Sequence, residues 1–268
     1  MRASARRFRL VFLIATLALA ARAGTASAQE AKSLEIPGRP AEEVARDASS
    51  RPEEVFAFLG IGPGSVVADL IAGGGYNTAI LTHVVGDGGV VFSHNARRNA
   101  IAERKAKGDL KDRANVVVFD SLAQLPDDTL DAALTVRNYH DVPAEEIGAW
   151  LTDVKRALKP GGVLGIVDVR TKPGFRGRAD DLHRISEDVV VEEVTAAGFE
   201  LQEKSDLLAN PKDAYGSSEF ENREGTDRML LKFRKPVSGA APIKEAPPAA
   251  TPRRKPAGAD SSGAPEAG

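Results

Sequence analysis

The sequence predicts a single α/β domain built on a doubly wound, mostly parallel sheet, and three observations predict it. Short β-branched runs alternate with helical periods between residues 65 and 169. Three consecutive glycines, Gly73 to Gly75, follow the first of those runs. In the last third the alternation stops, and two strand-like runs follow a helix with no helix between them. Strand and helix in strict alternation imply parallel strands joined by crossovers, and the helix-free ending implies an antiparallel pair on one edge.

Each element has its own warrant. "SVVADL" (65–70) is apolar almost throughout, as expected of a strand buried on both faces, and "YNTAILTHVV" (76–85) is a helix closed by Gly86. "GVVFSH" (89–94) is the next strand and "NAIAERKAKG" (99–108) a helix ended by glycine. "NVVVF" (115–119) and "LDAALTV" (130–136) are the third and fourth strands. "AEEIGAWLTDVKRALKPGG" puts Ile147, Trp150, Leu151, Val154 and Leu158 on one helical face before Pro160 and two glycines, and "VLGIVDV" (163–169) is the fifth strand. "SEDVVVEEVTAAG" (186–198) is a helix with Val190, Val194 and Ala197 inward; "FELQEKS" (199–205) and "RMLLKFR" (228–234) are the two final strands. Ahead of them all, residues 41–60 form one or two helices placed to cover the sheet or the site.

The ends carry different information. Arg2, Arg6, Arg7 and Arg9 precede the apolar run "LVFLIATLALA" (10–20), and small residues at Ala26 and Ala28 follow, so residues 1–28 read as a secretory signal peptide. An apolar run of eleven residues is too short to span a bilayer. Residues 29–40 read as a linker, 41–235 as the domain, and the Pro/Ala-rich stretch 236–268 as a disordered tail. The protein is therefore expected to be exported, to the periplasm, with no membrane attachment after cleavage. Cysteine is absent, which excludes disulfides, thiolate nucleophiles and zinc–thiolate sites. Lys+Arg 36 against Asp+Glu 38 leaves a net charge of -2, with no general attraction to nucleic acid. The basic run 97–113 is broken by acids and spaced like a solvated helix face.

In an open parallel sheet, ligands bind outside the carboxyl ends of the strands. The residues there are Asp69 with Gly73, Gly74, Gly75 and Tyr76; Ser93, His94 and Asn95; Asp120 and Ser121; Arg137, Asn138, Tyr139, His140 and Asp141; and Asp168 with Arg170. A dinucleotide fingerprint starting at Gly73 requires Gly or Ala at 78, which is Thr, and no Walker lysine follows the glycines. The turn thus reads either as a different cofactor loop or as close helix–strand packing.

Four segments, "VVADLIAGGGYNTAIL", "GGVVFSHN", "LPDDTLDAALTVRNYHD" and "ALKPGGVLGIVDVR", resemble in order and spacing the class I S-adenosylmethionine-dependent methyltransferases. The similarity spans residues 50–235 and is strongest to a branch of exported methyltransferases with a G-G-G loop and an "NYHD" segment. It implies a Rossmann-like sheet of seven strands in the order 3-2-1-4-5-7-6 with the seventh antiparallel, and S-adenosyl-L-methionine as cofactor. It also implies a small-molecule methyl acceptor.

Carried over by position, Asp69 and the Gly73–Gly75 turn would lie under the methionine and ribose, Asn95 would take the place of the ribose-binding acid, and Asp120 or Ser121 would border the adenine. Asn138 would face the methyl group. The family's first loop glycine is Ile71 here, and an amide at Asn95 lacks the charge of a carboxylate. Tyr76 or Tyr139 would lie against the sulfonium. His140, an imidazole titrating near neutrality, is the candidate base, with Asp141 as its orienting partner.

Plainer uses stay open for each residue: Asp141 as a helix cap before Pro143, Tyr139 as a wedge, His140 as a structural histidine, Asp69 as a partner of the turn's amides, Asn95 as a turn residue. His183 and Arg184 reach the pocket or cap the last helix. Two other functions compete. One is a non-catalytic small-molecule-binding protein with the same fold. The other is a secreted metal-dependent hydrolase using His94 and His140 with Asp69, Asp141 and Asp168.

Overall fold

The computed structural model describes residues 35–94, 98–218 and 220–237; the expected signal peptide, nearly all of the expected tail and Asn95 lie outside them. Elements run α1 (Ala41–Ser50), α2 (Pro52–Leu59), β1 (Val66–Leu70), α3 (Tyr76–Val85), β2 (Val90–His94), α4 (Arg98–Lys107), β3 (Val116–Phe119), β4 (Leu130–Val136), α5 (Ile147–Ala157) and β5 (Leu158–Val169). They continue with β6 (Arg178–Ala179), β7 (Arg184–Ile185), α6 (Glu187–Ala196), β8 (Glu200–Ser205) and β9 (Arg228–Arg234). The main sheet has seven strands in the order β3-β2-β1-β4-β5-β9-β8. With the short β6–β7 ribbon set aside, this is the expected order. β1 to β5 pair in parallel and β9 runs antiparallel to both its neighbours.

Strand alternation divides the core. Ala68 and Leu70 of β1, with Ala133, Ile166 and Leu231 of neighbouring strands, pack with Leu151 and Val154 of α5 and Val190 and Val194 of α6. Val67, Leu134, Val167 and Leu230 point the other way and meet α2 and α3 through Val55, Phe56, Ile80 and Leu81. Both sheet faces are thus covered, which is why these strands read as continuous apolar runs.

The structure decides one expectation left open and departs from the sequence reading in three other places. Residues 41–60 are two helices, separated at Arg51, whose left-handed φ of 45° precedes Pro52 at the first position of α2; proline disfavours helical geometry in the residue before it and suits a helix start. α5 ends at Ala157, before Pro160, because Leu158 is already extended (φ -70°, ψ 140°) and joins β5. The packed chain also begins before residue 41: Ile36 is buried against the α2–α3 core and Arg39 pairs with Asp47 at 2.7 Å, so part of the expected linker belongs to the domain. The ribbon β6–β7 has two residues per strand, too short to show any period in sequence.

Candidate active site

Strand order reverses between β1 and β4, whose neighbours lie to opposite sides, and the loops after these two strands part there. The β1 loop turns at Ile71 (φ 55°), Gly73 (φ 57°) and Gly75 (φ 82°). The Asn138 amide donates to the Ile71 carbonyl at 3.0 Å and to that of Val136 at 2.9 Å, tying the β4 loop to the β1 loop. Ala72 N–H donates to the His94 carbonyl at 2.9 Å, which fixes the turn to β2 as well.

The three glycines are not equivalent. A Cβ on Gly73 or Gly74 would meet nothing within 4 Å, whereas one on Gly75 would lie 2.5 Å from Ile101 Cδ1. Gly75 is therefore the packing glycine, where α4 crowds the start of α3. Gly73 and Gly74 leave bare backbone beside open space, which suits close approach by a ligand. Arg104 holds the loop from outside through Nε to the Gly74 carbonyl at 2.8 Å, and pairs with Asp109 at 2.6 Å and with Glu43 of α1.

Asp69 is 1% exposed and turns toward α3: its Oδ2 accepts from Thr78 Oγ1 at 2.6 Å, and Thr78 Oγ1 lies 3.0 Å from Ser93 Oγ. Burial pushes its carboxyl up from 3.8 to about 7, opposed by the Thr78 bonds. The threonine that breaks the dinucleotide fingerprint is thus the partner of Asp69. Tyr76 is also occupied. Its hydroxyl donates to Asp47 at 2.6 Å, and the Arg46 guanidinium lies over its ring at 4.0 Å, so the ring anchors α1 and its face is already taken by a cation. Ser121 caps the turn Leu122–Gln124, accepting from Ala123 N–H at 3.3 Å, while Asp120 stays exposed beyond β3 and its carbonyl lies 3.3 Å from His94 Nε2.

The β4 loop forms a second group. Tyr139 is fully buried, edge-on to Trp150, with its hydroxyl donating to Glu193 at 2.8 Å. It is a wedge between the loop and α6, and the expectation that it faces a sulfonium is corrected. His140 is 8% exposed. Its Nδ1 lies 2.8 Å from Asp168 Oδ1 and its N–H donates to Asp168 Oδ2 at 3.0 Å. The orienting carboxylate is therefore Asp168, at the end of β5, and not Asp141. A carboxylate on Nδ1 places the proton there and leaves the Nε2 lone pair directed away.

Nε2 faces Asp141 Oδ1 at 3.3 Å and His183 Nδ1 at 3.3 Å. Asp141 does not cap α5, which starts six residues later at Ile147. These groups line a cleft of about 400 Å3 together with Glu145, Arg178 and Asp180. Arg178 donates to the His140 carbonyl at 3.3 Å and bridges both oxygens of Glu193 at 2.9 Å, fastening β6 to the loop.

His94 takes no part in this cluster. It stacks on Phe119 and its Nδ1 accepts from Ile71 N–H at 3.4 Å, two strands away from β4, so the expected His94–His140 pair does not form. Burial lowers its pKa below 6.5, which favours a neutral ring. Arg184 neither reaches the cleft nor caps α6. It is buried, with bonds of 2.8 and 3.2 Å to Asp213. Sequence reading missed Arg178 altogether and gave Asp168 no orienting role, although Asp168 stood among the strand-end residues.

No protein-family model and no curated protein matches the chain by sequence. Solved structures do match it. A SAM-dependent methyltransferase from Aquifex aeolicus superposes with a TM-score of 0.54 at 22% identity, covering 73% of this chain and 98% of that one. The fold is a methyltransferase fold. One S-adenosylmethionine-dependent methyltransferase from Mesorhizobium loti gives 0.53 at 17% identity over 70% of this chain and 99% of its own. The cyclase SpnF gives 0.56 at 18% identity over 71% and 81%. Chains with this fold thus include one described as a cyclase, and the reaction must be argued from the site.

Proposed function

We propose that the protein is an S-adenosylmethionine-dependent methyltransferase acting on a small molecule, exported behind its signal peptide. The observation that carries the proposal is the bare backbone of Gly73 and Gly74, open above and placed at the strand-order reversal of a methyltransferase-type sheet. Those residues fit the cofactor because a side chain on either would fill the space a ligand needs. When bound, the cofactor supplies a methyl group on a positively charged sulfur. Asn138, bonded to both the β1 loop and its own strand, comes two residues before His140, which lines the cleft.

The residues of this chain then have three tasks. Gly73 and Gly74 receive the adenosyl part, and Asn138 holds the two loops in register so that donor and acceptor are aligned. His140 takes the acceptor's proton on Nε2, with Asp168 fixing the ring and stabilising the imidazolium that results. Asp69, Tyr76 and Tyr139 act on the fold around the site and not on the reactants.

Calorimetric titration of the purified protein with S-adenosylmethionine and S-adenosylhomocysteine tests this. Micromolar binding of both is expected, and binding of neither at millimolar concentration overturns it. Asp168→Asn should lower kcat by about tenfold or more with cofactor affinity unchanged, since it removes only the orienting charge.

A further inference from the structure

We propose that His140, Asp141 and His183 form a three-ligand site for a divalent transition metal of the zinc type, in the acceptor cleft. Three atoms converge there: His140 Nε2, His183 Nδ1 and Asp141 Oδ1, separated by 3.3, 3.3 and 3.5 Å. Zinc holds nitrogen and oxygen ligands at about 2.0–2.2 Å, and a tetrahedron with such bonds has edges of about 3.3–3.6 Å. Octahedral neighbours at those bond lengths would be about 3 Å apart. The observed triangle therefore has the dimensions of one face of a tetrahedral site, whose fourth corner would take water or substrate.

Proton accounting supports the same conclusion. Asp168 holds the Nδ1 proton of His140, so Nε2 is an acceptor facing a carboxylate oxygen and a second imidazole nitrogen. A cation at the centre of the triangle satisfies all three atoms at once. A carboxylate behind a ligating histidine is the outer-shell partner that fixes ring and tautomer in metal sites. His183 sits at φ 52°, after the turn Asp180–Leu182 and before β7, where a residue pair 43 positions apart in sequence is brought together. The cluster is the one group of three potential metal ligands at this spacing among the described residues.

The acceptor class follows, and this part rests on the methyltransferase reading. An acceptor hydroxyl or thiol entering the fourth position would bind the cation through oxygen or sulfur. Its O–H or S–H pair would stay on that atom and its proton would leave to solvent, the metal lowering the pKa. The cation then does the work assigned to Nε2 in its absence.

The test uses the full purified chain, stripped with chelator, and the metals alone. Zinc calorimetry should show one ion per chain, and cobalt should give the intense visible bands of tetrahedral coordination. His183→Ala and Asp141→Asn should each weaken zinc binding by tenfold or more, and Asp168→Asn by about 10–100-fold. His83→Asn, on α3 and bonded to Arg113, should leave affinity unchanged. Melting curves of the apo variants show that they fold. Absence of stoichiometric binding, affinity unmoved in both His183→Ala and Asp141→Asn, or loss in His83→Asn overturns the site. A chain that binds zinc but not S-adenosylmethionine keeps this inference and loses the methyltransferase; the reverse result does the opposite.

Discussion

Replacing Gly75 and Gly74 separately by alanine should give opposite phenotypes. Gly75 has φ 82°, where an L side chain costs about 1–2 kcal/mol. Its Cβ would also press on Ile101 Cδ1 at 2.5 Å, and Ile101 is buried with Ala79, Leu110 and Val116. Overpacking of this kind costs about 1–3 kcal/mol, so Gly75→Ala should lose about 2–5 kcal/mol and on the order of 10 °C in Tm. Gly74 has neither a positive φ nor a neighbour within 4 Å of a Cβ. Gly74→Ala should therefore melt like the wild type or gain up to about 1 kcal/mol, by restricting the unfolded chain. Its methyl enters the proposed adenosyl hollow and should weaken S-adenosylhomocysteine by about tenfold, equivalent to about 1.4 kcal/mol. Urea melts and calorimetry on the two variants suffice. A Gly75→Ala protein as stable as the wild type would refute the packing role, and unchanged affinity in Gly74→Ala would refute the cradle.

Three further outcomes are expected. Asp69 has a folded pKa raised from 3.8 to about 7, so its contribution to stability is fully present below about pH 4 and lost as pH rises through 7; at about 1.36 kcal/mol per pH unit the loss is on the order of 4 kcal/mol. Denaturant melts of Asp69→Asn at about pH 4 and 8 should lack that loss, and a wild type equally stable at both would count against it. Tyr139→Phe should cost about 1 kcal/mol from the lost bond to Glu193 and leave cofactor affinity untouched; a fall in affinity would return Tyr139 to the site. Arg184→Ala should cost about 3–5 kcal/mol, because Asp213 would remain buried and unpaired, and a loss below 1 kcal/mol would contradict that.

The fold was legible because six of the seven strands of the main sheet carry a strong apolar run, the edge strand β8 (ELQEKS) being the exception. α3, β4 and β9 occupy the residues expected of them, since glycines, turns or charged ends bound each one. The site was legible only as a set of strand ends. Spacing along the chain brought His140 and Asp141 together but could not show that Asp168, 28 residues on, would take Nδ1, because that depends on the register of β4 with β5. His183 reaches the cluster through a two-residue ribbon with no sequence period. Nor could sequence tell Gly75 from Gly74: the difference lies in Ile101, which arrives from α4. Tyr76 misled for a related reason, since an aromatic ring beside a glycine turn suits a cation in a ligand as well as it suits Arg46 of α1, and Tyr139 misled because its partner Glu193 lies 54 residues on in α6.

The most direct measurement is a crystal structure of the protein grown with S-adenosylhomocysteine. Electron density for the nucleoside against the Gly73–Gly74 backbone, with the sulfur directed past Asn138 toward His140, is the predicted result. Density at another place, or an Ile71 side chain filling that space with no nucleoside bound, would contradict it.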